Sequence, residues 1–143
     1  MVDPEVVTRR LRELDRRLAQ LERLREHGRD TYVADEAVQA QGERHLQVAI
    51  QCAIDVALHV AAERSAATPE DYADAFRVLG EAGVIDRVLA GRLAEAAGLR
   101  NVLVHAYLTV DPERVWEHLG GLQDLRELAS AILVLLEDGP PRG

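Results

Sequence analysis

The sequence is poor in the residues on which many small proteins depend for stability, cysteine and aromatics above all. It contains one cysteine, Cys52, among 143 residues, so no disulfide can form within the chain. Aromatic residues make up only 3%, which leaves alanine, leucine and valine to fill the core. Because Cys52 lies in an apolar run, we expect a buried, unreactive thiol, which suits the reducing cytoplasm.

Signals for secretion and for membrane insertion are also missing from the sequence. The N-terminus turns polar at once, at Asp3 and Glu5, unlike a secretory signal. No continuous stretch reaches the roughly 20 apolar residues that a membrane span needs. Apolar residues nevertheless make up 48% of the chain, which is enough for a packed core. These features predict a cytoplasmic protein that does not associate with membranes.

Lysine is absent, and arginine supplies all 17 basic residues of a chain whose net charge is −8. This acidic balance argues against a general nucleic-acid coat protein. Five arginines are nevertheless concentrated near the N-terminus: Arg9, Arg10, Arg12, Arg16 and Arg17. This N-terminal arginine cluster could steer RNA. Glu13 and Asp15 interrupt the cluster, however, so a solvated face of mixed charge is the alternative.

Proline, glycine and capping residues divide the chain into about five predicted helices. The predicted ranges are 4–29, 35–65, 68–82, 86–97 with a break at Gly98, and 111–137. The third helix is expected to open with Thr68 as its cap. We therefore predict a single all-α domain over residues 1–143, folded as an up-down helical bundle. Its core covers about residues 5–137, and the tail at 138–143 is expected to fray.

The second predicted helix is the longest and should lie at the centre of the bundle, because residues 46–62 are apolar on almost every side. Its polar residues recur at steps of four and form one stripe: Gln47, Gln51, Asp55, His59 and Glu63. This polar stripe could line a catalytic cleft or a dimer seam, with Asp55 as a secondary site candidate. The alternative is a set of interhelical hydrogen bonds inside the bundle.

Residues 100–107, which read RNVLVHAY, place four polar side chains in an apolar neighbourhood. Arg100 offers a permanent charge and a planar fork that fits phosphate, and His105 can move protons near neutral pH. Asn101 and His105 share one face of an ideal helix, whereas Arg100 is offset from His105 by roughly 140°. Arg100 could reach His105 by its long side chain, by a break at Gly98 or across a two-fold subunit interface.

Each of these residues also has a purely structural interpretation. Arg100 could pair with Asp86 or Glu95. His105 could be a hydrogen-bonded imidazole within the core, and Tyr107 could fill space. The histidines show no metal-ligand spacing with the single cysteine, so we expect neither a metal nor a cofactor.

The segment RNVLVHAY resembles the Arg-x4-His-x-Tyr motif of HEPN-domain ribonucleases, specifically the HepT toxins. Residues 46–63, 72–85 and 108–128 resemble successive helical blocks of the same family, so the resemblance covers about residues 5–137. It implies the toxin of a type VII-like toxin–antitoxin pair, whose antitoxin is a minimal nucleotidyltransferase, MNT. It also implies a metal-independent endoribonuclease in which the 2′-hydroxyl of the RNA attacks the adjacent phosphate.

The resemblance implies a role for each motif residue. Arg100 would stabilise charge on the phosphate, His105 would act as general base or acid, and Asn101 would orient the substrate or the imidazole. Tyr107 would receive AMP from the antitoxin, which silences the toxin. Two copies of the motif would face each other in a homodimer with a composite active site. The RNA substrate stays open between tRNA and messenger RNA.

A second function is compatible with the same residues. The chain could be a non-catalytic helical binding partner that presents substrates or nucleotides to a minimal nucleotidyltransferase. Growth arrest on expression, and its loss in His105→Ala, separates the toxin from the binding partner.

Overall fold

The computed structural model describes residues 2–64, 67–105 and 110–138, and every regular element in this part of the chain is a helix. The helices are α1 (Pro4–Glu26), α2 (Arg29–Ala34), α3 (Glu36–Arg64), α4 (Tyr72–Glu81), α5 (Arg87–Val104), α6 (Pro112–Leu119) and α7 (Leu122–Asp138). The predicted all-α class is confirmed, and so is the long central helix, which is α3. Residues 139–143 of the predicted tail lie outside the described residues.

The structure has two more helices than the sequence predicts, and glycine adjoins each of them. Gly28 has a φ of 88°, a left-handed conformation that glycine adopts without strain, and it separates α1 from α2. The helix α2 fills most of the interval that the sequence leaves between the predicted helices 4–29 and 35–65. Gly120 and Gly121 lie between the end of α6 and the start of α7, and so divide the predicted helix 111–137. The described residues therefore contain seven helices where the sequence predicts about five.

Aspartate side chains fix where several helices begin. Five helices start directly after an aspartate that accepts a hydrogen bond from a first-turn backbone N–H: Asp3, Asp35, Asp71, Asp86 and Asp111. The predicted start of the third helix at Thr68 is wrong, because Asp71 accepts from the Asp74 N–H at 2.7 Å and so caps α4 one turn later.

The central helix α3 contacts each of the other six helices of the described chain, with α1 packed along one side and α4 against α5 on another. Cys52 lies on its buried surface, as the sequence predicts. Burial and the nearby Asp55 carboxylate raise the pKa of this thiol to about 11, which keeps it protonated and unreactive at neutral pH.

Length and mean hydropathy would also allow α3, among the helices of the described residues, to cross a bilayer. However, 56% of its apolar window is buried inside the bundle, so packing within this chain accounts for the apolar composition. The expectation that no segment could span a membrane is corrected to this extent. A cytoplasmic location stays a prediction.

The helix α5 runs from Arg87 to Val104 without interruption, so the predicted break at Gly98 is wrong. A glycine inside a helix costs only about 1 kcal/mol relative to alanine. Buried side chains on both sides of Gly98, including Leu93 and Leu103, hold this part of α5 against the core. Packing therefore outweighs the local weakness of glycine.

Because Gly98 plays no role as a break, Gly98→Ala should raise the free energy of unfolding by about 0.5–1 kcal/mol. A Cβ at this position would meet no atom within 4 Å. Urea denaturation followed by circular dichroism measures the change, and a shift in midpoint at constant slope is expected.

The matched control is Gly42→Ala, which places the same methyl group inside the core. Its Cβ would lie 2.7 Å from Tyr32 Oη and 2.8 Å from Tyr32 Cε2, and this ring is fully buried. We expect a loss of about 1–3 kcal/mol, as for other overpacked cores. A destabilised Gly98→Ala would contradict the continuous α5.

Candidate active site

The predicted site residues lie at the C-terminal end of α5. Arg100 and Asn101 belong to the helix, whereas His105 is its C-cap, with φ −96° and ψ 38°. The His105 backbone N–H donates to the Val102 carbonyl at 3.2 Å. Helical periodicity therefore no longer sets the direction of the His105 side chain. Tyr107, the fourth predicted site residue, lies outside the described residues.

The guanidinium of Arg100 is held on three sides. Its Nε–H donates to Gln51 Oε1 on α3 at 2.7 Å, and Nη1 donates to Asn101 Oδ1 at 3.1 Å. The ring of Tyr72, at the start of α4, lies under the guanidinium with its centroid 5.1 Å from Cζ. A cation over an aromatic face is attracted by the ring electrons. Three helices therefore fix one side chain.

These contacts use only part of the hydrogen-bonding capacity of the Arg100 guanidinium. A guanidinium has five N–H donors, and the bonds to Gln51 and Asn101 occupy two of them. The three that remain, one on Nη1 and two on Nη2, donate to no other residue in the described part of the chain. No carboxylate pairs with this cation there, so its charge is not neutralised. The arrangement suits an anionic group with several acceptor oxygens, such as a phosphate.

The polar stripe of α3 connects this site to α1. Gln51 Nε2 donates to Asp55 Oδ1 at 2.9 Å, and Arg10 Nε donates to Asp55 Oδ2 at 3.1 Å. Farther along the stripe, His59 Nε2 accepts from the Asp3 backbone N–H at 2.9 Å. Three members of the stripe thus make interhelical hydrogen bonds, as the structural interpretation expects. The same bonds link Asp55, the secondary candidate, to Arg100 through Gln51.

The structural interpretations of Arg100 and His105 do not agree with the structure. Arg100 pairs with neither Asp86 nor Glu95 among the described residues, and its hydrogen bonds run to α3 and to its own helix neighbour. His105 is exposed rather than part of the core. None of the contacts of Arg100 in the described chain reaches His105. The structure therefore links Arg100 directly to Asn101 and, through Gln51, to Asp55, while His105 caps the same helix.

Two valines flank this end of α5 on the surface. Val102 is 37% exposed and Val104 is 39% exposed, although both belong to the helix that carries the site. These two side chains add apolar surface at the end of α5 that carries Arg100 and Asn101.

A cavity of about 300 Å³ adjoins Asn101 between α4 and α5. Its lining is mostly small residues, which leave the space open: Ala73, Ala94, Ala97 and Gly98, together with Asp71, Tyr72 and Asn101. Asp71 caps α4, whereas Tyr72 contacts Arg100 and is 38% exposed.

The N-terminal arginine cluster is engaged by carboxylates. Arg16 and Arg17 both donate to Glu13 at 2.8 Å, and these hydrogen bonds lower the pKa of Glu13 to about 2. Arg9 pairs with Glu5 one turn away. This pattern corresponds to the mixed-charge face rather than to a continuous basic surface.

Acidic and histidine side chains do not converge as a metal site in residues 2–64, 67–105 and 110–138, where no three His, Cys, Asp or Glu side chains come together. Catalytic zinc, for comparison, takes three protein ligands and leaves one position open.

Comparison with known proteins places these residues in a family context. Residues 14–132 match the family described as "Ribonuclease HepT-like". The chain is 30% identical over 142 residues to the tRNA nuclease HepT of Aphanizomenon flos-aquae, covering 96% of this chain and 97% of that protein. It is 32% identical over 63 residues to the mRNA nuclease HepT of Shewanella oneidensis, covering 44% and 47% of the two chains.

Solved structures share the same arrangement of helices. One is a tri-AMPylated HEPN toxin of Shewanella oneidensis in complex with an MNT antitoxin. It superposes with a TM-score of 0.83 over 92% of this chain and 99% of the toxin, at 21% sequence identity. At this identity the likeness establishes the fold alone.

Proposed function

Because this chain belongs to the HepT-like ribonuclease family, we propose that it is a metal-independent endoribonuclease and the toxin of a type VII-like toxin–antitoxin pair. The observation that carries this proposal is the guanidinium of Arg100. It is held in place by Gln51 and Tyr72 and keeps three N–H donors for a ligand, at the end of α5 that also carries the exposed Asn101 and His105.

Cleavage proceeds by attack of the RNA on its own backbone. The 2′-oxygen forms a bond to the adjacent phosphorus as its proton passes to an imidazole acting as general base. The bond from phosphorus to the 5′-oxygen then breaks, and this leaving oxygen takes a proton from a general acid. The products are a 2′,3′-cyclic phosphate and a free 5′-hydroxyl end. The reaction needs neither a metal ion nor an external nucleophile.

Each motif residue has its own role in this reaction. His105 transfers the proton, and Arg100 stabilises the negative charge that develops on the phosphoryl oxygens. Asn101 accepts a hydrogen bond from Arg100, which supports a role in orienting that cation as well as the substrate. Asp55 contacts Gln51 and Arg10 with its two oxygens, so we place it behind the site rather than at the phosphate.

We propose that two copies of the chain build one composite active site. Within one chain, the hydrogen bonds and the ring contact of Arg100 are made with Gln51, Asn101 and Tyr72. A two-fold axis near the end of α5 would bring two sets of these residues face to face and cover Val102 and Val104. One imidazole would then serve as base and the other as acid.

The proposed partner of this toxin is an MNT antitoxin that transfers AMP to Tyr107. The tyrosine oxygen attacks the α-phosphorus of ATP, loses its proton and releases pyrophosphate. The AMP adds bulk and negative charge two residues from His105, in the path of the RNA phosphate. The tri-AMPylated Shewanella toxin in its complex with an MNT antitoxin supports this proposal.

We propose tRNA as the substrate. The relative that matches nearly the whole chain is a tRNA nuclease, whereas the mRNA nuclease matches under half of it.

The test is incubation of purified protein with bacterial tRNA or a synthetic messenger, with and without EDTA. We expect tRNA cleavage at an unchanged rate in EDTA, and fragments that carry cyclic phosphate and 5′-hydroxyl ends. Loss of cleavage in EDTA, restored by added metal, would contradict the metal-independent mechanism. Absence of cleavage under all conditions, together with normal growth on expression, would favour the non-catalytic binding partner.

A further inference from the structure

The orientation of Arg100 depends on a side chain outside its motif. Gln51 is on α3, and its Oε1 accepts from Arg100 Nε at 2.7 Å. The amide can be oriented in only one way, because its Nε2 donates to the Asp55 carboxylate at 2.9 Å. A flipped amide would set an NH₂ group against the guanidinium and an oxygen against the carboxylate.

The carboxylate that orients Gln51 is itself held from the opposite side. Arg10 on α1 donates to Asp55 Oδ2 at 3.1 Å. Every contact in this series, from Arg10 through Asp55 and Gln51 to Arg100, joins a donor to an acceptor. The series spans α1, α3 and α5, so the packing of three helices determines where the guanidinium lies.

The neutral character of the glutamine matters for the charge at the site. Gln51 supplies an acceptor oxygen without a negative charge, and Tyr72 and Asn101 are neutral as well. Asp55, the nearest carboxylate of the series, is separated from Arg100 by the whole amide of Gln51 and is neutralised by Arg10. Arg100 is thus fixed without losing its positive charge to an ion pair.

We propose that Gln51 is a positioning residue for RNA cleavage: it fixes the Arg100 guanidinium in the orientation that meets the phosphoryl oxygens, and Asp55 fixes Gln51. This inference rests on the proposed function of Arg100. Gln51 touches neither the RNA nor the proton that is transferred. Its effect is on kcat, because a mobile guanidinium still attracts phosphate but is less often placed for the transition state.

The test replaces Gln51 by methionine, which has nearly the same shape and lacks both hydrogen bonds. With bacterial tRNA as substrate, Gln51→Met should lower kcat by about 10- to 100-fold, the range for misplacement of a catalytic group, at nearly unchanged KM. Gln51→Glu keeps an acceptor oxygen for Arg100 Nε–H, but its negative charge would pair with the guanidinium and repel Asp55, so kcat should stay well below that of the wild type.

The matched control is Gln39→Met, the same substitution on the same helix. Gln39 Nε2 donates to the carbonyls of Tyr32 and Val33, at 3.1 and 2.9 Å, so this variant also loses hydrogen bonds between α3 and another helix. It should lose stability in urea as Gln51→Met does, yet keep the wild-type kcat. An equal loss of kcat in both methionine variants, or none in Gln51→Met, would overturn the proposal.

Hydrogen exchange measured by NMR spectroscopy tests the positioning role without an activity assay. The Arg100 Nε–H resonance, identified by its loss in Arg100→Lys, should exchange with solvent more slowly in the wild-type protein than in Gln51→Met. Equal exchange rates would overturn the positioning role. If Arg100→Ala cleaves tRNA as well as the wild type, the proposed function fails instead, whatever the exchange rates of Gln51→Met.

Discussion

Replacing His105 by alanine is expected to lower the rate of tRNA cleavage by about 10²–10⁴-fold, the usual contribution of a general acid or base. Arg100→Ala should cost about 10²–10³-fold, because it removes the donors that face the developing phosphoryl charge. His105 is exposed at the end of α5, so its loss should leave the helical circular dichroism and the urea midpoint nearly unchanged. Initial rates at saturating tRNA, measured beside unfolding curves, check both variants.

Two outcomes would contradict this assignment. Cleavage at the wild-type rate by either variant would remove that residue from the active site. The composite site has its own test, because wild-type chains can be mixed with an excess of His105→Ala chains and allowed to exchange subunits. A mixed dimer keeps only one of the two imidazoles, so the activity of the wild-type chains should fall as they enter mixed dimers. Activity that stays proportional to the amount of wild-type chain would contradict a site shared between chains.

Tyr107→Phe is expected to remain an active toxin that its antitoxin can no longer silence. The substitution removes the hydroxyl that would accept AMP and leaves Arg100 and His105 in place. Incubation with the MNT antitoxin and ATP should therefore increase the intact mass of the wild-type chain by one or more AMP groups and leave Tyr107→Phe unchanged. In cells, co-expression of the antitoxin should restore growth with the wild-type toxin only.

The control for this experiment is Tyr72→Phe, which removes the hydroxyl of a partly exposed tyrosine that contacts Arg100. Its ring remains against Arg100, so cleavage should persist, and Tyr107 remains available for AMP. Equal AMP incorporation into Tyr107→Phe and the wild type would place the modification on another residue. If Tyr107→Phe were inactive, Tyr107 would have a catalytic role as well.

The parts of the fold that the sequence predicts are those in which one helix face meets the core. The apolar stripe of α1 and the apolar middle of α3 are visible in the sequence, because helical periodicity places their buried residues three and four positions apart. The separate α2 is not visible, because it depends on the left-handed conformation of Gly28. Gly98 carries the same sequence signal as Gly28, yet packing of α5 keeps it helical.

The candidate site combines residues that are neighbours in the sequence with residues that come from other helices. The motif is contiguous, so the sequence is enough to group Arg100, Asn101 and His105, but the predicted helix ends at residue 97, whereas α5 continues to Val104. Gln51 and Tyr72 come from other helices, and only the packing of α3 and α4 against α5 brings them to Arg100. The sequence places Gln51 on a polar stripe, but no pattern in it indicates which helix that stripe faces.

The carboxylates among the N-terminal arginines affect how RNA binding depends on ionic strength. RNA that binds a continuous basic surface releases many counterions, and its affinity falls steeply as salt rises. In α1, Arg16 and Arg17 share the Glu13 carboxylate and Arg9 pairs with Glu5, so part of this positive charge is already balanced within the protein. Each phosphate contacted in a single strand contributes about 0.7 logarithmic units of affinity per decade of salt. We therefore expect RNA to contact few phosphates on α1 and its affinity to fall less steeply with salt than on a continuous basic surface.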